Sequence, residues 1–284
     1  MWSLRVVVVA LAALMALAID GTIDGRASAA GPVATVAWGL VVAVLVLALV
    51  VPSPLGLTLV RMFLPVTVPV AVATLALGAG AAWGIAALAA ALLANFVAFS
   101  AEIAEAFVQA SAYGQERRLP LRAPAALLLP MGLSWVLWCA ITINAMLMLS
   151  AAQWFVGALI AVIAGVLGWL LVRRFHPFSQ RWLVLVPAGV VLHDPVVLGD
   201  TLMVQRGNLA LARLAPADTQ AADLTGPAVG HAVELIMRDM ELVVLAGTAA
   251  EPKGKALHVQ SMLVAPSRPG RALQALAEAK VPVG

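Results

Sequence analysis

Asn95, Glu102 and Gln109 recur at intervals of seven in a largely apolar stretch, with Glu105 between them. On a continuous helix such residues share a face, so they predict a polar stripe entering a bundle. A carboxylate near the edge of an apolar span is expensive unless it is paired or wet, which makes it a functional candidate. Two chemistries fit. In one, the stripe is a proton or cation path, with Glu102 as the titrating group and Asn95 as a deeper ligand. In the other, Glu102 and Glu105 are interfacial charges with Arg61, Arg117 or Arg118 as partners, and Asn95 makes one interhelical hydrogen bond.

Pro65 and Pro69 stand one helical turn apart, and each removes a backbone donor. They form a candidate helix break, which a transporter would use to build a midplane site and which neighbouring helices would otherwise repair as a static kink. Trp135 and Trp138 lie deeper than an interfacial belt requires and are expected to fill space between helices. The histidines at 176, 193, 231 and 258 are isolated, without the i,i+2 or i,i+4 spacing of metal sites. Ala249 stands where a phosphate loop ending at Gly254-Lys255 would need its first glycine, and no serine has a G-x-S-x-G context. Cys139, the single cysteine, excludes an intrachain disulfide and reads as a small buried hydrophobe. The spacing therefore supports no catalytic residue, metal or cofactor, and a net charge of +3 gives no footprint for nucleic acid.

The elements that must position these residues follow from composition. The chain is 63% apolar and 11% charged, against roughly 25% charged in ordinary soluble domains. Six stretches, near 3–19, 32–51, 62–80, 83–101, 124–149 and 152–172, approach the roughly 20 apolar residues that cross a bilayer as a helix. The first also reads as a signal peptide with small-residue sites at Ala16-Leu17-Ala18 and Ala27-Ser28-Ala29; a retained helix is preferred because Trp2 and Leu4 lengthen it. Arg5, Arg61, Arg117, Arg118, Arg122, Arg173 and Arg174 fall on one side of the spans and Arg26 on the other, which places both termini in the cytoplasm. The Arg-, Ala-, Val- and Leu-rich composition suggests a bacterial source, hence a plasma-membrane location. Gly157, Ala161 and Gly165, and Ala86, Ala90, Ala94 and Ala98, are expected to be packing seams.

Beyond Arg173 the pattern changes to short β-type runs separated by turns. The division is therefore a six-helix membrane domain over 1–172 and a cytosolic β-rich domain over 173–284. A hairpin over 182–193 turns at Pro187-Ala188-Gly189, and further strands are predicted at 199–206, 209–214, 231–238, 241–246 and 256–263. Glu251-Pro252-Lys253-Gly254 reads as the last hairpin turn. Ser267 and Pro269 open an amphipathic helix that ends near Lys280. Seven strands and a terminal helix predict a small β-barrel plugged by that helix. Over 177–282 this order resembles the pleckstrin-homology-like (PH-like) domains that bacteria attach to membrane helices. The resemblance implies a binding or scaffolding module, not an enzyme; the first hairpin turn lacks the basic residues that would hold a phosphorylated headgroup. The leading expectation is a membrane anchor for a module that docks a protein partner, in contact with membrane lipids. The alternative is a small transporter or channel with its path along Asn95, Glu102 and Gln109.

Overall fold

The computed structural model describes residues 1–23, 29–247 and 254–284; Arg26, Ala27, Ser28, Ala249 and, of the expected last turn, Glu251, Pro252 and Lys253 lie outside the described residues. The chain forms two compact units. One comprises Met1–Ala106 and Met131–Phe175, the other Phe107–Pro130 and His176–Gly284. The second unit thus takes in 107–130, which composition alone assigns to the membrane block. The reason is a strand pairing described below.

The first unit is built from α1 (Trp2–Ile23), α2 (Ala30–Val50), α3 (Pro54–Phe63), α4 (Thr67–Ala76), α5 (Ala81–Ala98), the start of α6 (Ala101–Gln109), and most of α7 (Ala125–Ser150) and α8 (Trp154–Ser179). Counting Pro54–Ala76 as one span, six helices among the described residues are long and apolar enough to cross a membrane. The third span begins at Pro54, not near 62. Ser53 Oγ accepts from Gly56 N at 3.1 Å and Pro54 occupies the first turn, a pairing that starts helices efficiently. Arg61, expected in a loop, consequently lies inside the span.

Helix α1 buries Leu4, Val8, Leu11, Met15 and Ala18, and α5, with which it packs, buries Gly84, Ala87, Ala91, Ala94 and Ala98. Both rows alternate steps of three and four, the spacing that keeps a seam facing its partner. Bulky side chains on α1 meet small ones on α5, so the backbones approach closely. The expected row through Ala86 and Ala90 is only partly buried. Strict four-residue steps drift around a helix of 3.6 residues per turn. The same correction holds in α8, where Gly157, Ala164 and Gly168 are buried, Ala161 is partly so, and Gly165 is exposed.

Among its described residues the second unit has two four-stranded sheets. The first runs β1 (Arg117–Pro120), β2 (Trp182–Val186), β3 (Gly189–His193), β4 (Leu202–Gln205), all antiparallel neighbours. In the second, β5 (Leu209–Leu214), β7 (Val233–Leu245), β8 (Lys255–Val264) and β6 (Ala222–Asp223) lie side by side in that order, with β6 parallel to β8. Alternate residues Leu183, Leu185, Val190, Leu192, Leu202 and Val204 enter a core shared with Leu235, Met237 and Met262 of the second sheet. Helix α9 (Pro269–Glu278) adds Ala272, Ala275 and Leu276 to that core. At Gly189 a Cβ would fall on Val204 O, so the tight hairpin requires glycine there.

The expected barrel does not close. No ladder joins β4 to β5; a short 3₁₀ turn at Arg206–Asn208 leads from one sheet into the other. The strands expected at 231–238 and 241–246 are one strand, β7, with an irregularity between Ile236 and Glu241. Asn208 holds this bulge, accepting from Asp239 N at 2.7 Å and donating to Glu241 Oε1 at 2.7 Å.

The segment from β1 onward ties the two sheets together. Arg117 to Pro120 pair with Leu185 to Trp182. Leu121 N then donates to Arg181 O at 3.0 Å, Arg122 N donates to Ala265 O at 2.9 Å, and Ser267 N donates to Pro120 O at 2.8 Å. One short stretch lying between two apolar spans in sequence thus completes the soluble-type unit.

Candidate functional site

The helix break lies at the 3₁₀ turn Leu64–Val66 between α3 and α4. Pro65 has no N–H to give Arg61 O, and the turn disturbs its neighbours' bonds. Side chains from neighbouring helices reach carbonyls beside the turn, and Leu64 O also accepts from Thr67 N. Trp135 Nε1 donates to Met62 O at 2.9 Å, and Asn95 Nδ2 donates to Leu64 O at 3.2 Å, where Thr67 Oγ1 also donates at 2.6 Å. Pro69 falls in the first turn of α4, where an N–H would have no intrahelical acceptor. It therefore adds no second break.

Trp138 belongs to the same region. Its Nε1 donates to Ala164 O at 3.0 Å, its ring meets Phe63 edge-on at 5.5 Å, and it packs with Met62 and Cys139. Gly168 makes room: a Cβ there would lie 2.9 Å from the indole nitrogen. Both tryptophans are thus backbone donors, a role that apolarity and spacing did not reveal. Their neighbourhood to a proline break was the available signal.

The polar stripe is interrupted. Helix α5 ends at Ala98, and α6 begins at Ala101 with Ser100 Oγ accepting from Ile103 N at 3.4 Å. Asn95 and Glu102 therefore do not share one continuous helix. Glu102 is exposed in the first turn of α6, where the helix dipole favours a carboxylate, and Glu105 is half-buried. Gln109 is exposed and closes a turn: its Nε2 donates to Glu116 O at 2.8 Å and its Oε1 accepts from Arg118 N at 2.9 Å. Among the arginines expected to face the glutamates, Arg117 pairs with Glu278 at 2.6 Å and Arg118 with Glu116 at 2.9 Å. Arg61 lies over the Phe99 ring at 5.5 Å. Two buried atoms in this unit, Arg61 Nε and Asn95 Oδ1, have no hydrogen-bond partner.

In the second unit the dominant polar feature is Arg181, which has no accessible side-chain surface. Its Nε and Nη2 grip Asp194 at 2.7–2.9 Å, Nη1 donates to Arg122 O, and Nη2 donates to Thr225 O at 3.0 Å. Asp194 Oδ1 also accepts from the backbone of Val196 and Val197. A buried ion pair holds only when its remaining donors and acceptors are satisfied, and here they are. Arg181 is the internal tie between β1's extension, the β2–β3 hairpin and the loop at Thr225. The register shows what would have found it: Trp182 faces His193, so residues 181 and 194 lie opposite each other one step beyond the ladder.

Beside that pair, the Arg118 guanidinium lies 5.2 Å from the Trp182 ring, and His193 stacks on the same indole at 5.1 Å. Thr201 Oγ1 is 3.0 Å from His193 Nδ1. Burial pushes the His193 pKa down; Asp194 opposes that and Arg118 reinforces it. The Glu116 carboxyl is held below its usual range by hydrogen bonds from Arg118 and then from the Tyr113 backbone. Among the described residues, no three His, Cys, Asp or Glu side chains converge as a metal site would require. No protein-family model, curated protein or solved structure matches the chain.

Proposed function

We infer that the protein is a multi-pass protein of a bacterial plasma membrane that anchors a sheet-rich, PH-like module on the cytoplasmic side, and that the module docks a protein partner without catalysing a reaction. The observation that carries this reading is the composition of the second unit. Residues 107–130 and 176–284 share one fold and one core. They must therefore lie on the same side of a bilayer, with α7 and α8 crossing and returning between them. This supports the topology drawn from the arginines independently of them. On β7, Met240 and Leu242 stand 64% and 52% exposed, an apolar surface of the kind that partners cover.

The break at Leu64–Val66 favours the anchor over the transporter, because Trp135, Asn95 and Thr67 already occupy the carbonyls of Met62 and Leu64 beside it. Sided labelling tests the topology: in a Cys139→Ala background, Gln115→Cys and Gly284→Cys are expected to resist an impermeant maleimide in intact cells and to react in inverted vesicles. A photo-crosslinker at Met240 in the full chain should yield one discrete protein adduct. Ion flux or substrate turnover by the purified protein, with no adduct, overturns the anchoring role.

A further inference from the structure

Arg61 presents a cationic group that takes part in no ion pair among the described residues. It lies in α3, inside an apolar span, and its Nε is sealed from solvent without an acceptor. Arg5 in the same unit shows what satisfaction looks like: its Nε and Nη2 donate to Leu49 O at 3.2 and 2.8 Å, at the end of α2. The Arg61 guanidinium instead lies over the Phe99 ring. Phe99 directly follows α5 and is 54% exposed, so the cation stands level with the end of that span and beside an open surface. A cation–π contact with phenylalanine offsets only part of the cost of a charge in apolar surroundings. The guanidinium fork matches the paired oxygens of a phosphate, and anionic headgroups collect at the ends of spans.

We propose that Arg61, seated on Phe99, binds a phosphate-class oxyanion, supplied by the headgroup of an anionic phospholipid or by free phosphate. The site rests on the third span lying in a bilayer and is independent of the anchoring role. It also reverses the sign of the polar region, since a fixed positive charge near Asn95 opposes a cation path.

The test uses the full-length protein in detergent with phosphatidylcholine alone, with added phosphatidylglycerol, or with inorganic phosphate against chloride at matched ionic strength. Phosphatidylglycerol is expected to raise Tm by about 2–4 °C in wild type, not at all in Arg61→Gln, and partly in Arg61→Lys. A shift with inorganic phosphate alone assigns the site to a free oxyanion. No shift in either arm, or an equal shift in Arg61→Gln, overturns the proposal. Should Arg61→Gln fail to fold, native mass spectrometry of the wild type decides: preferential retention of phosphatidylglycerol supports the site, and equal retention of phosphatidylcholine overturns it. Release of the protein by alkaline carbonate would instead sink the span assignment itself.

Discussion

Two arginines, one in each unit, are treated in opposite ways. Arg181 is enclosed by Asp194 and by the carbonyls of Arg122 and Thr225, whereas Arg61 keeps a sealed nitrogen with no acceptor. The difference follows from what each architecture brings within reach. An antiparallel hairpin sets residues of chosen type opposite each other, so one carboxylate at 194 suffices. Packed apolar helices offer mainly backbone carbonyls, and the bundle's donors go there: Arg5 to Leu49, Asn95 to Leu64, Trp135 to Met62 and Trp138 to Ala164. In the sheet unit a carboxylate matches the buried charge, whereas in the bundle the polar side chains reach backbone carbonyls.

The largest expected effect separates the sheet unit from its inserted strand. A fragment of residues 176–284 lacks buried Leu119 and Leu121, each contributing about 1.5–3 kcal/mol, and lacks the Arg122 carbonyl that Arg181 needs. It is expected to show the narrowly dispersed amide signals of an unfolded chain, and joining 107–124 to it through a flexible linker should restore dispersed amide signals. Next, Asp194→Ala leaves a buried guanidinium unpaired and should destabilise the unit by about 3–5 kcal/mol, read as loss of hydrogen-exchange protection over 182–193. Arg181→Met with Asp194→Leu removes both charges and should recover most of that loss. In the bundle, Asn95→Leu frees Leu64 O from one of its two side-chain donors and is expected to lower stability by only about 0.6–1.7 kcal/mol, measured by unfolding in mixed micelles. An effect as large as that of Asp194→Ala would erase the contrast between the units.

The smallest effect is a pH dependence. Because burial depresses His193 in the fold, the unfolded chain binds its proton first as pH falls. The contribution of His193 is complete above its ordinary pKa of about 6.5 and is lost as pH drops through the lowered folded value. His193→Asn should flatten the stability profile below about pH 6.5 relative to wild type, as followed by thermal melts across that range.

Much of the fold is legible along the chain. Apolar length marks the six helices, the turn at Pro187-Ala188-Gly189 marks the first hairpin, and Pro269 marks the start of α9, because each of these signals is local. The register of β2 and β3 even contains the Arg181–Asp194 pair for a reader who extends it by one residue. The candidate site is less legible. Asn95, Glu102 and Gln109 keep their seven-residue spacing, yet the helix stops at Ala98 and Gln109 turns to close the loop before β1. Nothing between Asn95 and Glu102 is a strong breaker, so the spacing promised a face that the backbone does not provide. Ser53-Pro54, by contrast, was a readable start signal that places Arg61 inside its span.

By itself the sequence determined that the chain has apolar helices of bilayer-crossing length and a more polar, β-forming remainder, since burial preference and periodicity act within a few turns. Tertiary structure alone decided that residues 107–130 join the β-rich remainder, that two sheets form in place of a closed barrel, and that tryptophan and asparagine donors reach the carbonyls beside the break at Pro65. Those outcomes depend on which carbonyl or strand edge is left unpaired after the local elements form. That demand is met across long sequence separations, where no local pattern records it.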